Sequence, residues 1–128
     1  MKTKIYLAGK ITGDPNYREK FKSAARVLTA LGYVVLNPAI LPDGLSEPGY
    51  MRISLTMLEE SDMAVFLPDF QESKGALIEQ AWCQRTGKAW AMYEEFVAAN
   101  KKKQEEIRDQ AELRLLLSGK LRYADFGC

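Results

Sequence analysis

Residues 63–81 read MAVFLPDFQESKGALIEQA, and this stretch decides the fold. Five apolar residues, Met63 to Leu67, are stopped by Pro68 and Asp69, the pattern of a short buried strand bounded by turn residues. Ser73 then stands where a helix N-cap belongs. Ala76, Leu77, Ile78, Ala81, Trp82 and Cys83 follow, and Gly87 supplies a stop, so a helix is expected over 73–85. Strand, short loop and apolar helix make half of a βαβ unit. Within that apolar helix stands one carboxylate, Glu79.

The same alternation extends in both directions. Ile5 to Ala8 reads as a strand closed by Gly9. Asp14-Pro15 then resembles an N-cap with proline at the first helical position. Tyr17, Phe21, Ala24, Ala25, Leu28 and Leu31 recur at helical spacing up to Gly32. Tyr33 to Leu36 is a second strand. Asn37 to Gly49, with three prolines and two glycines, reads as a long irregular loop, and loops of that length are often functional. A helix is expected over 50–60, a fourth strand over 88–93, and one or two helices over 94–117, ended by Ser118-Gly119. Strands alternating with helices predict an α/β fold whose parallel sheet, of about four to five strands, is covered on both faces. One domain over 1–128 is expected, with an α/β core over 1–95 and a C-terminal helical extension and tail over 96–128.

In such sheets ligands bind outside the carboxyl ends of the strands. Those ends are Gly9 to Gly13, Asn37 onward, Pro68 to Gly75 and Tyr93 onward.

Composition narrows the chemistry. Hydrophobic residues make up 47% of 128, enough for one sizeable core, and net charge is +1. No global field favours polymeric nucleic acid or an anionic membrane, although Lys101-Lys102-Lys103 forms a local basic run. No apolar run reaches the ~18 residues of a membrane span, and the apolar part of the opening residues is too short for a signal peptide. Cys83 and Cys128 form no CxxC pair, so a reduced, cytoplasmic chain is expected. Histidine is absent, which rules out a Ser-His-Asp triad, a Cys-His dyad and any imidazole-based zinc site. No metal or cofactor is called for. "AGKIT" at 8–12 lacks the first glycine and the hydroxyl of a Walker loop, and GxGxxG does not occur.

Several residues remain as candidates, each readable in two ways. Ser73 reads either as a simple cap or as part of a helix start that offers N–H groups to an anion, with Gly75 allowing close approach. Glu79 is either a carboxylate on the solvent face, sharing that face with Gly75 and Cys83, or a nucleophile or base in a semi-apolar cleft. Asp69 is turn chemistry or a ligand contact. Tyr6 is a core residue whose hydroxyl could reach a cleft. Lys10 and Thr12 lie in the first β→α loop, a common anion site.

Taken together, Lys4-Ile-Tyr-Leu-Ala-Gly-Lys-Ile11, Glu60-Ser-Asp-Met-Ala-Val-Phe-Leu67 and Ser73-x-Gly75-Ala-x-x-Glu79 with Gly87-Lys88 resemble the nucleoside 2-deoxyribosyltransferase superfamily. The likeness is greatest to its small bacterial and phage branch, and extends to 2'-deoxynucleoside 5'-phosphate N-hydrolases. It covers residue 4 to about residue 93 and leaves the C-terminal segment unmatched.

The resemblance implies a flavodoxin-like three-layer α/β/α fold, assembled as a homodimer or larger homo-oligomer. It implies chemistry at the N-glycosidic bond of a nucleoside or its 5'-monophosphate. Glu79 takes the place of the glutamate that attacks C1', by a logic that parallels retaining glycosidases. Tyr6, Gly9, Lys10, Thr12, Asp69, Ser73 and Gly75 would face the ligand. Transferases acting on free nucleosides carry aspartate at position 73 and nucleotide hydrolases serine, so Ser73 points to a nucleotide.

At position 54 the family's enzymes have an aspartate that assists the leaving base, and this chain has Ser54. Loss of a general acid can cost about 10²–10⁴-fold in rate. Asp43 or Glu47, from the long loop, could substitute. The alternatives are a nucleotide-binding module of the same fold with little or no turnover, acting as sensor or sequestering protein, and an interaction protein working through Leu113, Leu115, Leu116, Leu117 and Leu121.

Overall fold

The structure, a computed structural model, describes residues 1–119. Tyr123, Phe126, Cys128 and Leu121 lie outside the described residues. The elements run β1 (Lys4–Ala8), α1 (Tyr17–Ala30), β2 (Val34–Leu36), α2 (Glu47–Glu60), β3 (Met63–Phe66), α3 (Lys74–Thr86), β4 (Ala89–Met92) and α4 (Tyr93–Leu117). Short 3₁₀ turns occupy Pro38–Ile40 and Phe70–Glu72. The four strands form one parallel sheet in the order β2-β1-β3-β4, the expected α/β architecture with a C-terminal helix. No described helix is long and apolar enough to cross a membrane.

Register explains how the sheet presents two different faces. Tyr6 pairs with Leu36 on one side and Ala64 on the other, and Ala8 pairs with Phe66, itself opposite Met92. Residues in register share a face, and these pack with Leu58 of α2 and Ala76 and Cys83 of α3 in one core cluster. Ile5, Leu7 and Val65 point the other way. Right-handed crossover puts α1 on that second side, with buried Phe21, Ala24 and Leu28. Tyr6 is therefore delivered, by strand alternation alone, to the side that carries α2 and α3.

Two helix starts differ from the sequence reading. α1 begins at Tyr17, not at Pro15. Asp14 forms a turn instead: its carboxylate accepts the Asn16 N–H at 2.9 Å and its carbonyl the Tyr17 N–H at 3.3 Å. α2 begins at Glu47, three residues before Tyr50, so the irregular loop ends at Ser46. Ser46 Oγ accepts the Gly49 N–H at 3.1 Å. Pro48 sits in the first turn, where its missing N–H removes no helical bond. The loop itself is pinned by Tyr50, whose hydroxyl donates to Pro42 O at 2.5 Å and accepts from Leu45 N at 3.3 Å.

The chain divides into two compact units, Met1–Phe96 and the segment from Val97 onward. The first contains the whole sheet. In the second, the helical residues 101–111 are exposed.

Candidate active site

α3 presents an unexpected face to the core. Ala76, Glu79 and Cys83 point inward, whereas Leu77 and Ile78 are 41% and 51% exposed. The face shared by Glu79 and Cys83 is thus the buried one, and the solvent-stripe reading of Glu79 is corrected. Glu79 is 5% exposed, and among the described residues Ser61 is the other one classed as buried and polar or charged. Apolar residues stand on both sides of α3, Trp82 packing with Ala76 and Cys83 while Leu77 and Ile78 face outward, so packing against β1 and α2 and not composition sets the orientation.

A buried carboxylate needs a donor. Tyr6, 1% exposed, supplies it: its hydroxyl donates to Glu79 Oε2 in a short hydrogen bond. Ser54 of α2 is half-buried and pulls the Tyr6 pKa down, against the larger rise from burial. Strand β1 and helix α3 thus meet at one carboxylate. Burial pushes the Glu79 carboxyl up to about 7, against the opposing pull of the Tyr6 bond. Tyr6 is held well above its ordinary value, by burial first and then by the Glu79 charge. Cys83, a free buried thiol one turn along α3, is also raised by burial. A carboxyl titrating near neutrality between a tyrosine and an apolar floor can serve as base or nucleophile at moderate pH.

The helix start lies one turn before Glu79. Ser73 caps α3, its Oγ accepting the Ala76 N–H at 3.2 Å. A Cβ placed on Gly75 would meet nothing nearer than Met51 Sδ and Ser73 Oγ, both at 3.9 Å. A side chain at position 75 would thus make ordinary van der Waals contacts without a clash. Gly9 has a different task. A Cβ there would fall 2.9 Å from Leu67 Cδ1 and 3.2 Å from Asp69 Oδ1, so glycine is required by packing of β1 against the end of β3.

Asp69 is fully engaged with the protein. Its Oδ1 accepts the Lys10 N–H at 3.0 Å, and its Oδ2 pairs with Lys20. Lys20 also bonds Asp14 Oδ2 at 2.5 Å and the Lys10 carbonyl at 2.8 Å. Burial works against the Lys20 charge, but its two carboxylates outweigh burial and raise its pKa. This ammonium clamps the Gly9–Asp14 loop against the end of β3. Lys20 was not among the residues singled out in the sequence. One signal was present: a cation in the first turn of α1 opposes the helix dipole, which calls for a partner.

The remaining candidates are dispersed. Lys10 Nζ reaches Glu72 at 3.5 Å, and Thr12 is exposed. Asp43 is exposed and bonds Arg18 at 2.9 Å and the Tyr17 hydroxyl at 3.3 Å. Glu47 is exposed in the first turn of α2. Among the described residues no group of three or more His, Cys, Asp or Glu is placed to hold a metal.

Comparison with known proteins agrees with the architecture. The chain is similar to the solved structure of a 2-deoxyribosyltransferase from the psychrotolerant bacterium Bacillus psychrosaccharolyticus, described as a biocatalyst for nucleoside synthesis. The TM-score is 0.55, the identity 19%, and the match covers 70% of each chain. At that identity the likeness is one of fold. No curated protein matches by sequence. A family model described as a domain of unknown function, DUF4406, matches residues 3–92, from β1 through β4. With its whole sheet inside that match, this chain belongs to the DUF4406 family.

Proposed function

We propose that this protein cleaves or transfers at the N-glycosidic bond of a nucleoside 5'-monophosphate, with Glu79 as nucleophile. The observation that carries the reading is the Glu79 carboxylate, buried on α3 beside the carboxyl ends of a parallel sheet and held by Tyr6. Ionised Glu79 attacks C1' of the sugar. A C1'–O bond forms and the glycosidic bond breaks with its electron pair passing to the base, which takes up a proton. Water or a second base then displaces Glu79. The neutral cap of Ser73, the side-chain-free backbone at Gly75 and the Lys10 ammonium favour a phosphorylated sugar end at the start of α3.

The same reading makes the chain a cytoplasmic homo-oligomer. Ile53 of α2 with Leu77 and Ile78 of α3 leave large apolar side chains exposed, and Cys83 is a free thiol. Ser54, in place of an acid, favours a second reading: a nucleotide-binding module with little turnover.

Chromatographic detection of free base tests both. The protein is incubated with the common 2'-deoxynucleosides, their 5'-monophosphates and the ribo equivalents, with Glu79→Gln in parallel. Base release from a monophosphate, lost in the variant, supports the enzyme. Ligand-dependent thermal stabilisation without release supports the binding module.

A further inference from the structure

Lys20 closes a ring of hydrogen bonds around residue 10. The Lys10 N–H donates to Asp69 Oδ1 at 3.0 Å. Asp69 Oδ2 pairs with the Lys20 ammonium, and that ammonium donates to the Lys10 carbonyl at 2.8 Å. One ion pair thus fixes both backbone groups of residue 10 and joins α1 to the end of β3. A further Lys20 proton goes to Asp14 Oδ2 at 2.5 Å, and the Asp14 N–H closes a turn on the Ile11 carbonyl at 3.2 Å. A lysine ammonium has three protons, and here the protein takes all three. The Lys20, Asp14 and Asp69 side chains are 25%, 22% and 24% exposed, so salt screens these bonds far less than it screens surface pairs.

We propose that Lys20 and Asp69 are positioning residues for a ligand phosphate, acting through Lys10. The proposal rests on the nucleotide reading of the site. The ring anchors the Lys10 backbone, and the Lys10 side chain runs from it to the start of α3, where Nζ lies 3.5 Å from Glu72 Oε1. Glu72 directly precedes the Ser73 cap. The Lys10 ammonium is thereby delivered beside the helix start that takes the phosphorylated sugar end. Its contact with Glu72 is long and exposed, and such pairs contribute little, so a phosphate replaces it at small cost. Lys20 is the opposite case. With every proton committed, it has none to offer an anion, and its charge acts by fixing where the other lysine begins. An anchored backbone lowers the entropy lost when that flexible cation is ordered on a ligand.

The consequence is selectivity. Loss of the ring weakens binding of a 5'-monophosphate and leaves the matching nucleoside, which offers Lys10 no charge, nearly untouched. A ring that only held the fold together would affect both alike.

The experiment is calorimetric titration of full-length protein with the four common 2'-deoxynucleoside 5'-monophosphates and the matching nucleosides. Wild type, Lys20→Met, Lys10→Met, the Lys10→Met/Lys20→Met double variant and Asp69→Asn are compared. In Lys20→Met the monophosphate Kd is expected to rise about 10-fold, the worth of one charge-assisted contact. The nucleoside Kd should change by less than about 2-fold, and adding Lys20→Met to Lys10→Met should cost less than about 2-fold more, because the two lysines act in series. Asp69→Asn keeps the Oδ1 acceptor and the side-chain shape but not the charge that holds Lys20. It should show the same selective loss in milder form, and it decides the matter if Lys20→Met does not fold. Equal losses for monophosphate and nucleoside overturn the proposal while the nucleotide reading stands, as does full additivity of the two lysine variants. Amide hydrogen exchange gives a readout without ligand: protection of the Lys10 N–H should fall about 10-fold in Lys20→Met while the amides of β1 and β3 keep theirs. Unchanged protection at Lys10 overturns the proposal. A wild type that binds no monophosphate overturns the nucleotide reading and the proposal with it.

Discussion

The Tyr6 hydroxyl donates to Glu79 Oε2 across 73 positions of sequence, joining the central strand β1 to the helix after β3. The bond places the phenol and the carboxyl in a shared, water-poor setting, in which both resist ionisation.

Glu79 therefore costs the folded state. Its carboxyl is raised from 4.5 to about 7, so the folded chain binds a proton that the unfolded chain has released. The group's contribution to stability is full below about pH 4.5 and is lost as pH rises through about 7. Above that, the difference is on the order of 3 kcal/mol. Glu79→Gln, neutral at every pH, is expected to be more stable than wild type at pH 8 by up to about that amount. Near pH 4 the gap should close to within about 1 kcal/mol. Urea denaturation at the two pH values measures it, and the same variant should release no base.

Tyr6→Phe carries the opposite dependence. At pH 8 it leaves an ionised, buried carboxylate without its donor, at a cost of about 1–3 kcal/mol. At pH 5 Glu79 is protonated and the penalty should shrink. Equal penalties at both values would mean that the tyrosine matters for packing alone.

Gly9 and Gly75 should separate fold from ligand. Gly9→Ala forces its methyl into Leu67, and about 1–3 kcal/mol of destabilisation is expected. Gly75→Ala meets ordinary contacts in the first turn of α3 without a positive φ. It should hold or raise stability by up to about 1 kcal/mol while weakening ligand binding. Thermal melts with and without nucleotide read both effects.

Lys20→Met removes the cation between Asp14 and Asp69. The first β→α loop is then held to the end of β3 by the Lys10 N–H bond to Asp69 without the ammonium. The melting temperature should fall, and KM should rise by about 10-fold with kcat less affected. Adding Asp69→Asn should recover part of the stability loss, because the two residues act as a pair.

Which parts of this were legible in the sequence follows from the range of the interactions. Strands β1, β2 and β3 announce themselves as apolar runs ended by glycine, proline or asparagine, and parallel order follows from their alternation with helices. The start of α2 was hidden because Pro48 and Gly49 carry loop statistics. The informative residue was Ser46, a cap whose partner N–H lies three positions on. The inward turn of Glu79 was not legible, since β1 and α2, remote in sequence, set it. Lys20 was missed for the same reason: Asp69 lies 49 positions away.

The inversion of α3 has a practical consequence for anyone reshaping this molecule. Solubility engineering commonly exchanges surface leucine and isoleucine for polar residues and interior acids for apolar ones. Applied to a hydropathy plot of this helix, that recipe would misassign both sides. It would spare Leu77 and Ile78, which are outside, as core, and treat Glu79, which is inside, as free surface. Redesign of α3 must begin from the coordinates, with position 79 left untouched.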